Sequence, residues 1–243
     1  MSREQILSEL RALVAGIETA SCATRDTLPF GVPAIDTHLP GGGLARGALH
    51  EIAGGASIAE QGAATLFTAG IAARLKGPVL WCLRSRDLFA PALQAAGLPA
   101  DRVIFAEARD EASVLAAMED GVRHRGLAAV IGEVARLPLV ASRRLQLAAE
   151  TSGVTALALF RWHKPAAEPT ASVTRWRVMP RPSEALPVPS LARSRWRVTL
   201  ERCRGAEPGT WDLEACDETG HLGLPADLVH RPAAAPARTS VAA

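Results

Sequence analysis

The sequence predicts an α/β domain: a mostly parallel central sheet with helices on both faces, extended at one edge by antiparallel strands. Three observations carry this. Strand-like and helix-like segments alternate about five times between residues 48 and 160. The strand-like segments are continuous apolar runs rather than alternating ones, as expected of strands buried on both faces. After His163 the pattern changes to alternating polar and apolar residues separated by proline, which suits antiparallel strands. The chain has 243 residues, 48% hydrophobic and 21% charged, enough for one sizeable core with appendages.

In chain order, Ile6, Leu10, Leu13 and Ile17 recur at spacings of three and four, predicting an amphipathic helix over residues 1–19. Ser2 and Gln5 suit a capping box at its start. Its apolar stripe packs on its own domain or, as the alternative, meets a partner. A polar connector follows, and Pro40-Gly41-Gly42-Gly43 predicts a turn, because glycine accepts positive φ. Ala48–Ile52 reads as a strand and Ala63–Leu75 as a helix stopped by Gly77-Pro78. Strand Val79–Leu83, helix Asp87–Ala96, strand Arg102–Ala106 and helix Asp110–Arg123 come next. Strand Leu127–Ile131, helix Ser142–Thr151 and strand Val154–Phe160 complete the core, residues 28–163. Residues 164–230 form the β-rich extension. It repeats Arg-Trp-Arg-Val at 175–178 and 195–198 around a Pro-rich linker. Residues 231–243 read as a disordered tail.

Composition narrows the function. Net charge is +2, which gives no general nucleic-acid coat and leaves room only for a local patch. The four cysteines form no C-x-x-C pair, so neither a zinc site nor a disulfide framework is expected, and no metal is assigned. The N-terminus is charged throughout and no apolar run reaches the ~18 residues of a membrane span, so the expected location is cytoplasmic.

The stretch HEIAGGASIAEQGAATLFTAG, His50 to Gly70, has the strand, glycine turn and helix of a phosphate-binding P-loop. The candidate loop residues are Gly54, Gly55, Ser57, Gly62 and Thr65. Its lysine position falls on Ala63 and its hydroxyl position on Ala64, so the chemistry is missing from the scaffold.

PFGVPAIDTHLPGGGLARGALHEIAG resembles the segment that opens the ATPase core of RecA-type recombinases, through Ile35, Asp36, Leu39, Gly42, Gly43, Leu44, Gly47, Glu51 and Ile52. AAGLPADRVIFAEARDEASVLAAM and AAVIGEVARL resemble later RecA blocks, so the likeness spans about residues 28–225. With its size, missing lysine and RWRV-bearing C-terminus, the chain resembles the ImuA family, whose members are also labelled SulA-like or RecA-like. The resemblance implies a RecA-like P-loop NTPase core and a role in the SOS response to DNA damage, in translesion synthesis and mutagenesis. It implies an ImuB-like partner, with RecA and an error-prone C-family DNA polymerase as further candidates, and a nucleoid-associated place of action. The SulA-like label implies a cell-division inhibitor as an alternative.

The RecA likeness also says where an ATPase would keep its acids. The Walker B aspartate falls on Gly132, with Glu133 next as a displaced acid or, more plainly, a solvated strand-end charge. The water-positioning glutamate falls near Arg86; Asp87 is the residual candidate, or a first-turn helix acid. Arg161-Trp162 stand where a polar sensor would end its strand. Together these losses predict a protein that is not an enzyme and has no cofactor, with weak nucleotide binding through loop amides as the alternative. For DNA, the candidates are Arg175, Trp176, Arg177, Arg195, Trp196 and Arg197, which set guanidinium beside indole. Strand alternation offers the plainer reading: Trp inward, Arg outward.

Overall fold

The computed structural model of the chain describes residue 5 and residues 26–161, 169–183 and 193–225. The Ile6, Leu10, Leu13 and Ile17 stripe, the 231–243 tail, most of the Pro-rich linker and residues 162–168 lie outside them. The described chain opens with β1 (Thr27–Leu28), the helical turn α1 (Pro33–Asp36) and β2 (Leu44–Ala45), which pairs antiparallel with β1. Asp36 accepts from the amides of Phe30 and Gly31 at 2.6 and 2.9 Å, pinning this entry segment to itself.

The alternating core follows: β3 (Leu49–Ala53), α2 (Ile58–Arg74), β4 (Val79–Leu83), α3 (Ala90–Ala95) and β5 (Val103–Glu107). It continues with α4 (Glu111–Arg123), β6 (Ala129–Glu133), α5 (Leu139–Ser152) and β7 (Thr155–Phe160). The extension adds β8 (Thr174–Arg181), β9 (Arg195–Cys203) and β10 (Gly209–Glu214). These form one eight-stranded sheet in the order β10-β9-β8-β3-β7-β6-β4-β5. β3 to β8 run parallel, and only β9 and β10 are antiparallel to their neighbours.

Helices α2 and α3 cover one face of the sheet and α4 and α5 the other, each over its own apolar cluster. β3, β6 and β7 are buried along their whole length; β7 runs almost wholly apolar, while β3 buries His50 and Glu51 and β6 buries Glu133, each with hydrogen-bond partners. β8 and β9 alternate. Val178 lies opposite Val198 and Val198 opposite Trp211, on the α2 side. Trp176 joins Phe30 and Phe67 there at ring distances of 5.2 and 6.1 Å. Such a buried tryptophan is worth roughly 3–5 kcal/mol against alanine. Its indole N–H donates to Thr174 Oγ1 at 2.8 Å, and Thr174 Oγ1 lies 2.7 Å from His50 Nδ1. The other ring nitrogen, Nε2, lies 2.8 Å from the carbonyl of Ala45 and must carry the proton, since a carbonyl only accepts.

Several element boundaries correct the sequence reading: β6 runs to Glu133 and not Ile131, α5 begins at Leu139 and not Ser142, and two more helix starts move. α2 begins at Ile58, not Ala63, because Ser57 is a strong N-cap that starts the helix early. α3 begins at Ala90, not Asp87, so Asp87 lies in the loop before it.

Candidate functional site

In an open α/β sheet, ligands bind outside the carboxyl ends of the strands, where neighbouring helices diverge. Here the ends of β3, β7, β6 and β4 meet there, and the P-loop-like stretch leaves β3 at that point. Only Gly54 to Ser57 separate β3 from α2. Gly62 and Thr65 are therefore inside α2 and not in a loop; Thr65 turns back to the Gln61 carbonyl at 2.8 Å. Where a P-loop would hold its amides open for phosphate, Ser57 and Glu60 close a capping box. The Ser57 amide donates to Glu60 Oε2 at 2.9 Å and the Glu60 amide to Ser57 Oγ at 3.3 Å. The Glu60 carboxylate lies against Gly55, so close that a Cβ at Gly55 would meet Oε2 at 2.4 Å. The Ser57 amide and hydroxyl hold this carboxyl below its ordinary value, so a negative charge sits in the cradle.

Glu133 ends β6 fully buried, which corrects the reading of it as a solvated charge. Its Oε1 accepts from the Trp81 indole at 2.9 Å and its Oε2 from Arg161 Nη1 at 2.8 Å. Arg161 follows β7 directly and also grips Asp87 through Nη1 at 2.8 Å and Nη2 at 3.2 Å. Asp87 is therefore an ion-pair partner, not a first-turn helix acid. Burial works against the charge of Arg161, but Asp87 and Glu133 outweigh it and hold the guanidinium above its usual value. Burial raises the Glu133 carboxyl above the ordinary range, with Arg161 pulling against that rise.

Gly132, at the aspartate position, faces the opposite side of β6. A Cβ there would lie 2.0 Å from Met118 Sδ, so the methionine fills the space. These residues do not fit a magnesium nucleotide. One candidate acid is locked to an arginine and buried, the hydroxyl is turned away, and an anion occupies the phosphate side. Among the described residues, no group of three His, Cys, Asp or Glu side chains is placed to hold a metal ion.

The Arg-Trp residues lie on the sheet extension. Trp176 and Trp196 are buried at 0% and 2% exposure, which removes their rings as stacking platforms for bases and corrects that expectation. The arginines point to the other face, where carboxylates meet them. Arg175 donates to buried Glu51 at 2.7 Å, Arg177 pairs with Glu201 at 2.5 Å, and Arg197 holds Asp212 with two bonds of 2.9 and 2.8 Å. Arg195 stands opposite Glu214 in the β9–β10 register. Glu51 also accepts from Ser172 at 2.6 Å and from Thr170, and so ties the segment before β8 to β3.

Sequence reasoning missed Glu60 and Trp81 and took Arg161 only as a lost sensor. The S-x-x-E spacing of Ser57 and Glu60 was a readable capping-box signal. The Arg161–Glu133–Asp87 grouping had none, because β7, β6 and the β4 loop meet only in the fold.

No protein-family profile matches the chain. It is similar to Protein ImuA of Caulobacter vibrioides strain NA1000 / CB15N, 41% identical over 227 residues, covering 88% of this chain and 93% of that one. Protein ImuA of strain ATCC 19089 / CIP 103742 / CB 15 of the same organism gives the same figures. Among solved structures it is similar to the RadB recombinase, with a TM-score of 0.54 and 17% identity over 81% of this chain and 98% of that chain; at that identity the likeness shows the RecA-like fold alone. No helix among the described residues is long and apolar enough to cross a membrane.

Proposed function

The chain belongs to the ImuA family, and we propose that it is a non-catalytic, RecA-like accessory protein of error-prone translesion synthesis, working through contact with an ImuB-like partner. The observation that carries this is the crevice at the strand ends. The chain's own groups fill the places of ligand and metal there: Glu60 on the loop side, and Arg161 between Glu133 and Asp87. A cradle that supplies its own anion repels phosphate, and the lost lysine contact alone removes about 1.5–3 kcal/mol of charge-assisted bonding. What the fold retains is a rigid scaffold, suited to holding a surface.

The test uses the purified full chain with the ImuB protein of the same cassette. Expected are no steady-state ATP turnover above buffer, and partner binding equal with and without Mg-ATP. Turnover that Glu133→Gln abolishes, or partner binding that requires Mg-ATP, overturns the proposal in favour of a residual nucleotide switch.

A further inference from the structure

Three of the most exposed large apolar side chains among the described residues gather at the crevice end of the sheet. Ile58 is 86% exposed, Phe89 70% and Val140 67%. They open α2, α3 and α5, the helices that follow β3, β4 and β6, so all three sit where the parallel strands end. Ile58 and Phe89 are on the same side of the sheet, since α2 and α3 pack together. Single exposed apolar residues are ordinary, but a cluster around one feature is not.

Their positions also break local rules. Phe89 occupies the N-cap of α3, where Ser, Thr, Asp or Asn would satisfy an orphan amide, and it makes no capping bond. Ile58 is the first residue of α2, a place that favours acidic or polar residues. Neither side chain is buried in the core, which leaves both apolar surfaces open to a partner.

Charge at the rim says what kind of partner fits. Arg86 turns to Glu107 at the end of β5, 2.6 Å away, and Arg84 lies near enough to Asp110 to help lower its carboxyl, so both cations of this loop lean toward the β5 edge. Facing the crevice are Asp87, its side chain 45% exposed, and Glu60. One guanidinium, Arg161, is shared between the carboxylates of Glu133 and Asp87, and the other cation near the loop, Arg177, which reaches the Gly54 carbonyl at 3.5 Å and acts on Glu60, is already paired with Glu201. An apolar rim around an acidic centre disfavours nucleotide and nucleic acid and favours a cationic, apolar protein segment.

We infer that the sealed crevice is the partner-docking face, and that Ile58 and Phe89 receive a segment of the partner protein carrying apolar side chains beside a lysine or arginine that meets Asp87 and Glu60. This rests on the accessory reading above and names the surface that reading needs.

The test measures equilibrium binding of the ImuB protein to the full chain and to Ile58→Asp and Phe89→Asp, with Leu147→Asp as control. Leu147 is equally outward, 63% exposed, but lies near the opposite end of α5. All three sites are solvent-facing, so thermal melts should be unchanged. Expected is about a tenfold or greater loss for each rim variant, the scale of one apolar anchor, with the control unaffected. Rim variants that bind like the wild type overturn the inference and leave the accessory reading standing. Equal loss in Leu147→Asp also overturns it. Absence of binding by the wild type overturns both. Wild-type single-stranded DNA binding that the rim variants lose while keeping ImuB affinity assigns the face to nucleic acid and overturns it as well.

Discussion

Replacing Arg161 by methionine removes the cation paired with a fully buried carboxylate, and two independent routes give the cost. Glu133 is 0% exposed and, among the described residues, keeps the Trp81 N–H, 2.9 Å away. Breaking a buried pair on one side costs about 3–5 kcal/mol. The alternative open to Glu133 is to take a proton. Lifting a carboxyl from its ordinary pKa to neutrality at pH 7 costs about 1.36 kcal/mol for each of roughly 2.7 pH units, or about 3.7 kcal/mol. Protonation therefore caps the loss, and the two figures meet near 3–4 kcal/mol. Asp87, partly exposed, turns to water and adds less than about 1 kcal/mol. The sign with pH follows. Burial raises the folded pKa of Glu133 above its unfolded value, so its contribution is most favourable below the unfolded pKa and is lost as pH climbs through the folded one. Without Arg161 the folded pKa rises further, and the penalty grows from pH 5 to pH 7. Urea unfolding at both pH values reads this as a midpoint drop of about 1–2 M at pH 7 and clearly less at pH 5. Arg161→Met with Glu133→Gln should recover most of the loss. A drop below about 0.3 M at pH 7, or an equal drop at both pH values, would refute the buried-lock reasoning.

Gly132→Asp, which restores the missing aspartate by sequence, should destabilise by more than about 2 kcal/mol, because it drives a carboxylate into Met118 and the apolar cluster under α4. A melting temperature that rises with added magnesium would sink that expectation. Burial pushes the Cys82 and Cys216 thiols up to about 12. At pH 8 roughly one in 10⁴ of each is thiolate, against about a quarter of an ordinary thiol, so in the folded chain a disulfide reagent should modify neither, by peptide mapping, until urea unfolds it. Rapid labelling of either in the native state would contradict the burial.

Much of the fold was legible because its signals are local. Val79–Leu83 was recognisable to the residue: a five-residue apolar run bounded by Gly77-Pro78 and a charged loop has little other use. The alternation in Arg-Trp-Arg-Val placed both indoles on one face, and Trp176 and Trp196 are indeed buried while their arginines face away. The errors fell where a cap or a distant partner decides. Ser57 moved the start of α2 by five residues, because a capping box outweighs the glycine count that had suggested a loop. Glu133 read as solvated because a charge at a strand end usually is; its burial depends on Arg161, twenty-eight residues away, and Trp81, fifty-two away. The arginines at 175 and 177 read as outward-facing or DNA-binding because their acceptors, Glu51 and Glu201, belong to other strands.

A RecA-like crevice has a structural problem independent of any chemistry. Four strand ends and a helix start converge there, and their polar groups must be satisfied by something. A nucleotide-binding protein leaves that to its ligand, so its stability and its affinity for partners both gain a ligand term that varies with ligand concentration. Here Arg161 and Glu60 supply counter-groups from the chain itself, and on the proposed reading the ligand term is replaced by a constant. Coupling between sites is reciprocal, so a crevice that gains nothing from nucleotide transmits nothing from nucleotide to a partner surface. On the proposed reading, partner affinity is therefore fixed by the chain itself, and occupancy follows the amount of protein present and not the nucleotide pool. Asp87 stays partly exposed at the rim, so the lock also presents a charge outward, where Ile58 and Phe89 give a partner its apolar footing.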